Sequence, residues 1–355
     1  MTTLYLSSPY IQILYKTNDI IRFYNHITKK TESISTEDYS YLKKFRRPSI
    51  LHRLNQSALE DLLIKRKILL PASAAWNQLT YQRVELETST VCNWRCEFCP
   101  SVQMKRKPQY IDWNLYQEIL DKVAAYKHVK IVYLHGLNEP TIDPRFEDLV
   151  NEIIKRNLKF GLFTNGSGLN DEKILFLKRI QKDLVHIAFN LPSVNKEHFE
   201  SITGTKNFTQ TIQTIKKCLD AKFNIYLSVQ GLKEEKAQEI EYIKKTFGNV
   251  KIYSDITFDR AGALQNRYAQ NILIQKPKLS GCFLFSDTLF IRMNGDLHIC
   301  CNDVNGQLVY ANIRDGSFEE IFKESAYQNL LKKIFGGQIA EASFLCRKCI
   351  LAQRN

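Results

Sequence analysis

The sequence predicts an α/β protein whose centre is a partial (β/α)6 TIM-like barrel. Two observations lead to this prediction: β-branched runs alternate with amphipathic stretches from residue 82 to about 260, and polar clusters follow the predicted strands. Six such units leave a barrel open, whereas eight would close it. We expect three parts, with a basic module at 1–75, the barrel at 82–262 and a cysteine-bearing extension at 263–355.

The amino-terminal module is predicted to be small and of the α+β type. Runs near 11–15 and 20–24 flank Thr17-Asn18-Asp19, which favours a hairpin, and helices are expected from Ser35 and over 55–67. Residues 1–80 carry 12 Lys or Arg and 6 Asp or Glu, a net charge of +6 out of +13 for the chain. This excess favours an acidic peptide, a nucleic acid or a phosphorylated ligand as partner; a basic surface without a dedicated partner is the alternative.

The barrel strands are predicted where short β-branched runs occur. They are expected near 83–87, 130–134, 160–164, 184–189, 224–229 and 251–258. Amphipathic periodicity predicts the intervening helices near 113–126, 145–156, 171–181, 208–222 and 234–246. Because the functional residues of parallel barrels lie at the carboxyl ends of the strands, the loops that follow the strands should carry the chemistry.

Composition is that of an ordinary globular protein, with 44% hydrophobic and 25% charged residues in 355. No stretch is long enough to span a membrane, and the first residues lack the pattern of a secretion signal. Nine cysteines, an odd number, fit metal ligation in a reducing cytoplasm better than a disulfide framework. We therefore expect a cytoplasmic protein with no membrane partner.

Cys92, Cys96 and Cys99 follow the first predicted barrel strand, with Phe98 before the last of them. Three thiolates with no fourth nearby fit a 4Fe–4S cluster that leaves one iron open, and part of a zinc site is the alternative. Together with the polar clusters after the strands, this motif resembles that of the radical S-adenosylmethionine (radical SAM) enzymes. The resemblance implies that the three cysteines bind the cluster and that S-adenosylmethionine chelates the open iron. It further implies cleavage to a 5′-deoxyadenosyl radical that abstracts a substrate hydrogen, with reduced flavodoxin or ferredoxin as electron donor.

The same resemblance implies a cofactor site on the loops of the barrel. Gly136–Pro140 looks like the family's Gly-x-x-Glu-Pro segment, so Glu139 is expected to receive the amino group of S-adenosylmethionine, while Asn138 stands where a glycine is common. An arginine often seen near the next helix is replaced by Ile202-Thr203-Gly204. The cofactor-binding residues so expected are Phe98, Gly136, Asn138, Glu139, Pro140, Thr164, Asn165, Asn190 and Gln230.

A second cysteine group lies in the extension, at Cys282, Cys300, Cys346 and Cys349. Its spacing resembles the SPASM and twitch auxiliary-cluster domains of the family, which implies four thiolates for a second 4Fe–4S cluster; a structural zinc site is the alternative. Cys301, beside a predicted ligand, is either a spare thiol or a catalytic hydrogen-atom donor. Cys218 lies on an apolar helix face and is expected in the core.

The function predicted first is modification of a ribosomally synthesised peptide by crosslink, thioether or epimerisation. Residues 1–75 look like the winged-helix-like domains that bind a leader peptide as an added strand in such enzymes; a structural cap over the barrel is the alternative. The second hypothesis is a small-molecule oxidoreductase that dehydrogenates an alcohol of a sugar or aminocyclitol. A third hypothesis is RNA modification, but the sequence has no basic stripe interleaved with aromatic residues. Nucleic acid is therefore not expected as a partner. A further hypothesis is a non-catalytic protein that only carries an iron–sulfur cluster, and the motifs that follow the strands argue against it.

Overall fold

The computed structural model describes residues 3–47, 49, 51, 53–104, 107–230, 233–254, 259–267 and 279–352. The chain forms two compact units. The terminal unit comprises Met1–Tyr81, Ile272–Thr288 and Phe318–Asn355, and the barrel unit comprises Gln82–Asn271 and Leu289–Ser317. Both units therefore contain part of the 263–355 extension. Within the described ranges, no helix has the length and apolar character needed to cross a bilayer.

The strands, in chain order, are β1 Tyr5–Ser7, β2 Ile11–Lys16, β3 Ile20–Asn25, β4 Lys30–Ser35, β5 Leu69–Pro71, β6 Arg83–Leu86, β7 Ile131–Tyr133, β8 Lys159–Thr164, β9 Leu184–Asn190, β10 Ile225–Ser228, β11 Lys251–Tyr253, β12 Thr288–Ile291, β13 Asp296–His298 and β14 Val309–Asn312. The α-helices are α1 Thr36–Leu42, α2 Arg53–Lys65, α3 Trp113–Ala125, α4 Phe146–Lys155, α5 Asp171–Arg179, α6 Lys196–Thr203, α7 Phe208–Asp220, α8 Lys233–Phe247, α9 Phe283–Asp287, α10 Phe318–Ile321 and α11 Ser325–Ile334.

The barrel unit is built on one sheet with the strand order β11-β10-β9-β8-β7-β6-β12-β13-β14. Strands β6 to β11 are parallel to one another, whereas β12, β13 and β14 pair in antiparallel fashion. The Glu87 amide donates to the Ile291 carbonyl (2.9 Å) beside the junction of β6 and β12. The prediction of six parallel strands is confirmed, and its last part, 255–258, lies outside the described residues. Helix α6 is an addition that the periodicity did not indicate.

The two faces of the parallel strands differ in chemistry, as the two-residue period of a strand requires. Val84, Val132 and Phe160 are fully buried, and the Phe160 ring lies 6.2 Å from that of Phe146 on α4. The opposite face, here called the inner face, carries charged and ring side chains. Its members are Arg83, Glu85, Tyr133, Phe163, His186 and Tyr226.

The terminal unit contains the antiparallel sheet β2-β3-β4 and the pair β1-β5. The predicted hairpin is present, since β2 pairs with β3, and Ser35 caps α1 by accepting the Asp38 amide at 2.9 Å. Residues from both ends of the chain share this unit's core. The Tyr10 ring lies 4.9 Å from that of Phe335, and Gln12 Nε2 donates to the Gly281 carbonyl at 3.3 Å.

Candidate active site

The loop after β6 carries three of the predicted cluster ligands and is anchored by its backbone. The Arg95 amide donates to the Thr203 carbonyl (3.0 Å), and the Glu97 amide donates to the Ile202 carbonyl (2.9 Å). Trp94 is buried, with its ring 5.2 Å from that of Phe199 on α6. The segment 202–204 therefore holds the cysteine loop in place.

The thiols of this loop lie within electrostatic reach of one another. Burial raises the pKa of Cys92 to about 11 and that of Cys96 well above its usual value, and the neighbouring thiols add to both shifts. Among the described residues, no three His, Cys, Asp or Glu side chains meet at metal-binding spacing. The donor chemistry fits an iron–sulfur cluster, because soft thiols predominate and their protons would leave when metal binds.

Glu139, in the loop after β7, is 2% exposed and its carboxylate is already surrounded by donors. Oε1 accepts hydrogen bonds from the Thr141 amide (3.0 Å), the Thr141 hydroxyl (2.5 Å) and the Thr164 hydroxyl (2.6 Å). Oε2 accepts one from the Asn165 amide (2.6 Å). Burial raises the pKa of Glu139, and these hydrogen bonds oppose that shift. In this arrangement the carboxylate ties two loops together, and an incoming ammonium group would have to compete with four protein donors.

Two other groups of the same segment were expected to face the cofactor. Asn138 Oδ1 is buried and has no hydrogen-bond partner among the described residues, while its Nδ2 is 3.5 Å from Thr88 Oγ1. An orphaned acceptor beside the predicted amino-group segment fits an ammonium donor. At Gly136, an added Cβ would lie 2.8 Å from Glu87 Cβ, so the close approach at this glycine is to a side chain.

A polar network joins the cysteine loop to the turn after β8. Asn165 Nδ2 donates to Asn93 Oδ1 (3.0 Å), Asn93 Nδ2 donates to Ser167 Oγ (2.8 Å), and Ser167 Oγ donates to Asn165 Oδ1 (2.6 Å). Sequence reasoning selected Asn165 and missed Asn93 and Ser167, since only the fold brings these loops together. The Glu139 amide adds a bond to the Val91 carbonyl at 2.9 Å.

Four other residues predicted to bind the cofactor are Phe98, Pro140, Asn190 and Gln230. Asn190 ends β9 and is paired in register with Ser228 of β10, whose hydroxyl accepts a bond from Gln230 Nε2 at 3.0 Å. Phe98 is buried in the cysteine loop, and Pro140 begins a short 3-10 turn.

A small cavity of about 30 Å³ opens beside Gly136 within the barrel unit. Its lining combines acidic, imidazole, guanidinium and thiol groups. It is lined by Glu85, Glu87, His135, Gly136, Leu137, Phe290, Ile291, Arg292, His298, Cys301, Asp303 and Val304. Cys301, the predicted hydrogen-atom donor, thus shares a cavity with Gly136, whereas His135 and Glu85 were not among the predicted site residues. The sequence feature that could have identified Glu85 as a site residue is its charged side chain on the inner face of a predicted strand.

The cysteines of the second group are all buried. Cys282 immediately precedes α9 and, with Cys346 and Cys349, belongs to the terminal unit. The Ser280 amide donates to the Ala352 carbonyl (3.4 Å), which brings these two segments side by side. Cys300 follows β13 in the barrel unit, so its part in a common ligand set stays a prediction from the sequence. Cys218 is fully buried on α7, and burial raises its pKa to about 12.

Comparison with known proteins identifies the class to which this fold and these loops belong. Residues 86–247 match the radical SAM superfamily, and residues 282–350 match SPASM, an iron–sulfur cluster-binding domain. The chain belongs to the radical SAM superfamily. It is a radical SAM enzyme with a carboxyl-terminal SPASM domain, and it uses S-adenosylmethionine and 4Fe–4S clusters.

Three curated relatives indicate the range of related proteins. The chain is 36% identical over 106 residues to the tungsten-containing aldehyde ferredoxin oxidoreductase cofactor-modifying protein of Pyrococcus furiosus, a match that spans 30% of each protein. It is 21% identical to the S-adenosyl-L-methionine-dependent 2-deoxy-scyllo-inosamine dehydrogenase of Niallia circulans, over 76% of this chain and 92% of that one. It is 22% identical to the sporulation killing factor maturation protein SkfB of Bacillus subtilis, over 46% of this chain and 39% of that one.

Among solved structures, the fold resembles that of Streptococcus suis SuiB bound to its precursor peptide SuiA. The TM-score is 0.58 at 12% identity, and the match covers 98% of this chain and 94% of SuiB. At this identity the likeness concerns the fold alone.

Proposed function

We propose that this enzyme modifies a ribosomally synthesised peptide by radical chemistry. The observation that carries the proposal is a cavity of the terminal unit, here called the groove, that is lined by apolar and basic side chains. A cavity of about 130 Å³ is lined chiefly by side chains of β2, β3, β4 and α1, among them Ile13, Phe23 and Ile34. Lys43 and Arg46 line the same cavity and are exposed.

This groove suits an extended peptide that carries apolar and acidic side chains. Strand β2 is an edge of the three-stranded sheet, so its outer backbone groups are placed to pair with an added strand. The net charge of +6 over residues 1–80 supports an acidic ligand. The likeness to SuiB covers nearly the whole chain, including this module, and SuiB was solved with a precursor peptide. SkfB is named as a maturation protein. Both support the same substrate class.

Within the barrel unit, we propose that Cys92, Cys96 and Cys99 hold the catalytic cluster. The loops after β7 and β8 then bind S-adenosylmethionine, with Asn138 Oδ1 as one acceptor for its amino group. When bound, the cluster and S-adenosylmethionine supply a carbon radical that removes a hydrogen atom from the substrate. The role of the chain is to fix the target carbon and keep water away. The hydrogen bonds of Glu139 and Asn93 keep these loops in register for that purpose.

A second candidate function is dehydrogenation of a small-molecule alcohol. The relative from Niallia circulans favours it, because that match runs over 92% of a protein named as a dehydrogenase. In that case the basic groove of the terminal unit would not bind the substrate.

The test uses peptides encoded by the small reading frames next to the gene, with sugars and aminocyclitols as competing substrates. Under anaerobic reducing conditions, 5′-deoxyadenosine and substrate mass are followed together. A peptide that loses hydrogen in step with 5′-deoxyadenosine supports the proposal, whereas oxidation of an alcohol substrate alone overturns it.

Substitutions in the groove then test where the peptide binds. Lys43→Glu/Arg46→Glu should weaken peptide binding about tenfold or more, because two favourable charges become repulsive. Lys65→Glu/Lys323→Glu makes the same charge change at exposed positions outside the groove and serves as the matched control. Deleting residues 1–75 is a poorer test, since Tyr10 and Gln12 help form the core of the terminal unit.

A further inference from the structure

His135 and Glu85 form an ion-pair arrangement on the inner face of the barrel unit. His135 Nδ1 lies 3.2 Å from Glu85 Oε2, and the two side chains are 31% and 15% exposed. The His135 ring also packs on Phe163, with ring centroids 4.9 Å apart. A carboxylate at Nδ1 fixes the tautomer with hydrogen on that atom, which leaves Nε2 as the basic nitrogen.

The pair faces a cavity next to the loop that is proposed to bind S-adenosylmethionine. Both residues line the cavity of about 30 Å³, which has room for about two water molecules. Gly136, the next residue, begins the segment assigned above to S-adenosylmethionine. In the described part of the chain, no residue hydrogen-bonds to His135 Nε2, and a 31% exposed ring is open to a ligand.

Two other charged groups of the cavity are already engaged in protein hydrogen bonds. Asp303 is 1% exposed, and its two carboxylate oxygens accept the Gln307 and Leu308 amides at 2.8 and 2.9 Å. Arg292 donates to the Asp303 and Val304 carbonyls, both at 2.8 Å. These contacts shape the loop after β13, whereas His135 combines a paired carboxylate with an open face.

We propose that His135, oriented by Glu85, is the base that takes the substrate proton during oxidation. This inference rests on the radical SAM function proposed above and holds for a peptide or an alcohol substrate. After a hydrogen atom has left the target carbon, an adjacent O–H, N–H or S–H group still carries one proton that must leave. The proton goes to His135 Nε2, and an oxidised iron–sulfur cluster held by the second cysteine group would supply the acceptor for the one electron. The substrate gains a double bond, or a new bond at carbon, and the imidazolium is stabilised by Glu85.

The inference is tested by counting product against 5′-deoxyadenosine and by the pH profile. In the wild type, product formation should fall at low pH, as it does for a reaction that needs an unprotonated base. His135→Gln should lower the product rate about 10²–10⁴-fold and remove that acid limb, because Gln cannot accept the proton. Formation of 5′-deoxyadenosine should continue, so the ratio of product to 5′-deoxyadenosine falls.

Two further variants distinguish this role from a structural one. Glu85→Gln should lower the rate less than His135→Gln and shift the acid limb to lower pH, since the imidazolium loses the carboxylate that stabilises it. The exposed His128→Gln is the matched control and should leave both readouts unchanged. The groups that face His135 in the cavity are Glu85 and Glu87 from the β6 side and Arg292, His298, Cys301 and Asp303 from the hairpin side. Cys301→Ser is measured in parallel, and loss of the acid limb there, with retention in His135→Gln, overturns the proposal.

The experiments also distinguish failure of the proposed peptide-modifying function from failure of the proposed role of His135. If no substrate raises 5′-deoxyadenosine formation in the wild type, the proposed function fails before His135 is at issue. If His135→Gln keeps the wild-type ratio, rate and acid limb, the function stands and the base is another group. Iron content and S-adenosylmethionine affinity, measured for every variant, identify any loss caused by misfolding.

Discussion

At the scale of single residues, the site is distinguished by how few of its polar groups are free. Glu139 accepts four protein hydrogen bonds, whereas Asn138 Oδ1 beside it has no partner among the described residues. A buried acceptor without a donor costs about 1–3 kcal/mol, so an ammonium group that reaches Asn138 would recover that energy. The residue expected to bind the amino group is thus occupied, and its neighbour is available.

We predict that Asn138→Ala weakens S-adenosylmethionine binding about tenfold. The change removes one acceptor, and a hydrogen bond to a charged group contributes about 1.5–3 kcal/mol. Anaerobic calorimetry on the reconstituted enzyme measures the dissociation constant. Asn138→Asp keeps an acceptor and should bind nearly as the wild type does. Equal affinity for wild type and Asn138→Ala would show that another group receives the amino nitrogen.

Cysteine spacing and polar clusters at strand ends are local patterns, so the sequence alone can propose which loops carry this site. It was not enough to predict the bonding of Glu139 or the network of Asn93 with Ser167. Those contacts join loops about 25 to 75 residues apart in sequence, and the pairing depends on the parallel order of β6, β7 and β8. His135 was visible in the motif, but its partner Glu85 lies 50 residues earlier.

At the scale of elements, the inner face owes its shape to side chains that cross from strand to strand. The Tyr133 ring lies 5.0 Å from that of Phe163 and 5.6 Å from that of His186, which in turn lies 4.9 Å from that of Tyr226. Gly161 on β8 makes room for this row, since an added Cβ would lie 2.0 Å from Tyr133 Cε1. One residue without a side chain therefore permits a ring on the neighbouring strand.

Gly161→Ala should lower the free energy of unfolding by about 1–3 kcal/mol, because the methyl group overlaps the Tyr133 ring. Thermal or chemical unfolding under anaerobic conditions measures the loss. The double variant Gly161→Ala/Tyr133→Leu should be destabilised by less than the sum of the two single changes, since the smaller side chain vacates the space. If the losses in unfolding free energy of the two single variants simply add in the double variant, the strand relieves the overlap by moving its backbone.

Acid should destabilise the barrel unit in part through His186. Burial, with contributions from Arg83 and Lys251, lowers the pKa of His186 from 6.5 to about 4. Between pH 6.5 and 4 the unfolded chain binds a proton that the folded chain does not, so stability falls as the pH drops through that range. Because the ring is only half-buried, we expect about 1 kcal/mol of this loss by pH 5, after discounting for solvent. Comparison of Tm at pH 7 and pH 5 for wild type and His186→Phe measures it, and the variant should lose less.

At the scale of the whole molecule, each compact unit is built from segments that are not consecutive in the sequence. The chain passes between the two units after residues 81, 271, 288 and 317. A hydrophobic pattern predicts that a segment is buried, but it does not predict which other segment packs against it. The sequence analysis therefore divided the chain into three consecutive parts. The contacts of Tyr10 with Phe335 and of Gln12 with Gly281 show the consequence, because residues far apart in sequence share one core.

Iron analysis tests the cluster assignment for the molecule as a whole. We expect about eight irons per chain after anaerobic reconstitution, and about four in Cys92→Ala/Cys96→Ala/Cys99→Ala. Cys346→Ala/Cys349→Ala should also retain about four. Cys218→Ala removes a buried thiol that is not an expected ligand and should retain all eight. About four irons in the wild type, with zinc present, would assign the second cysteine group to a structural metal.

The antiparallel strands β12 to β14 continue the sheet that begins at β11, with β12 beside β6. The part of the SPASM match that lies in the barrel unit therefore cannot be exchanged as a separate cassette, since a cut at residue 289 would leave the backbone groups of a central strand without partners. Laboratory chimeras that replace this region would have to retain the hairpin and vary the loops it carries. For the same reason, diversity of auxiliary domains on this scaffold should arise by gradual change within a shared sheet, more readily than by transplanting whole modules.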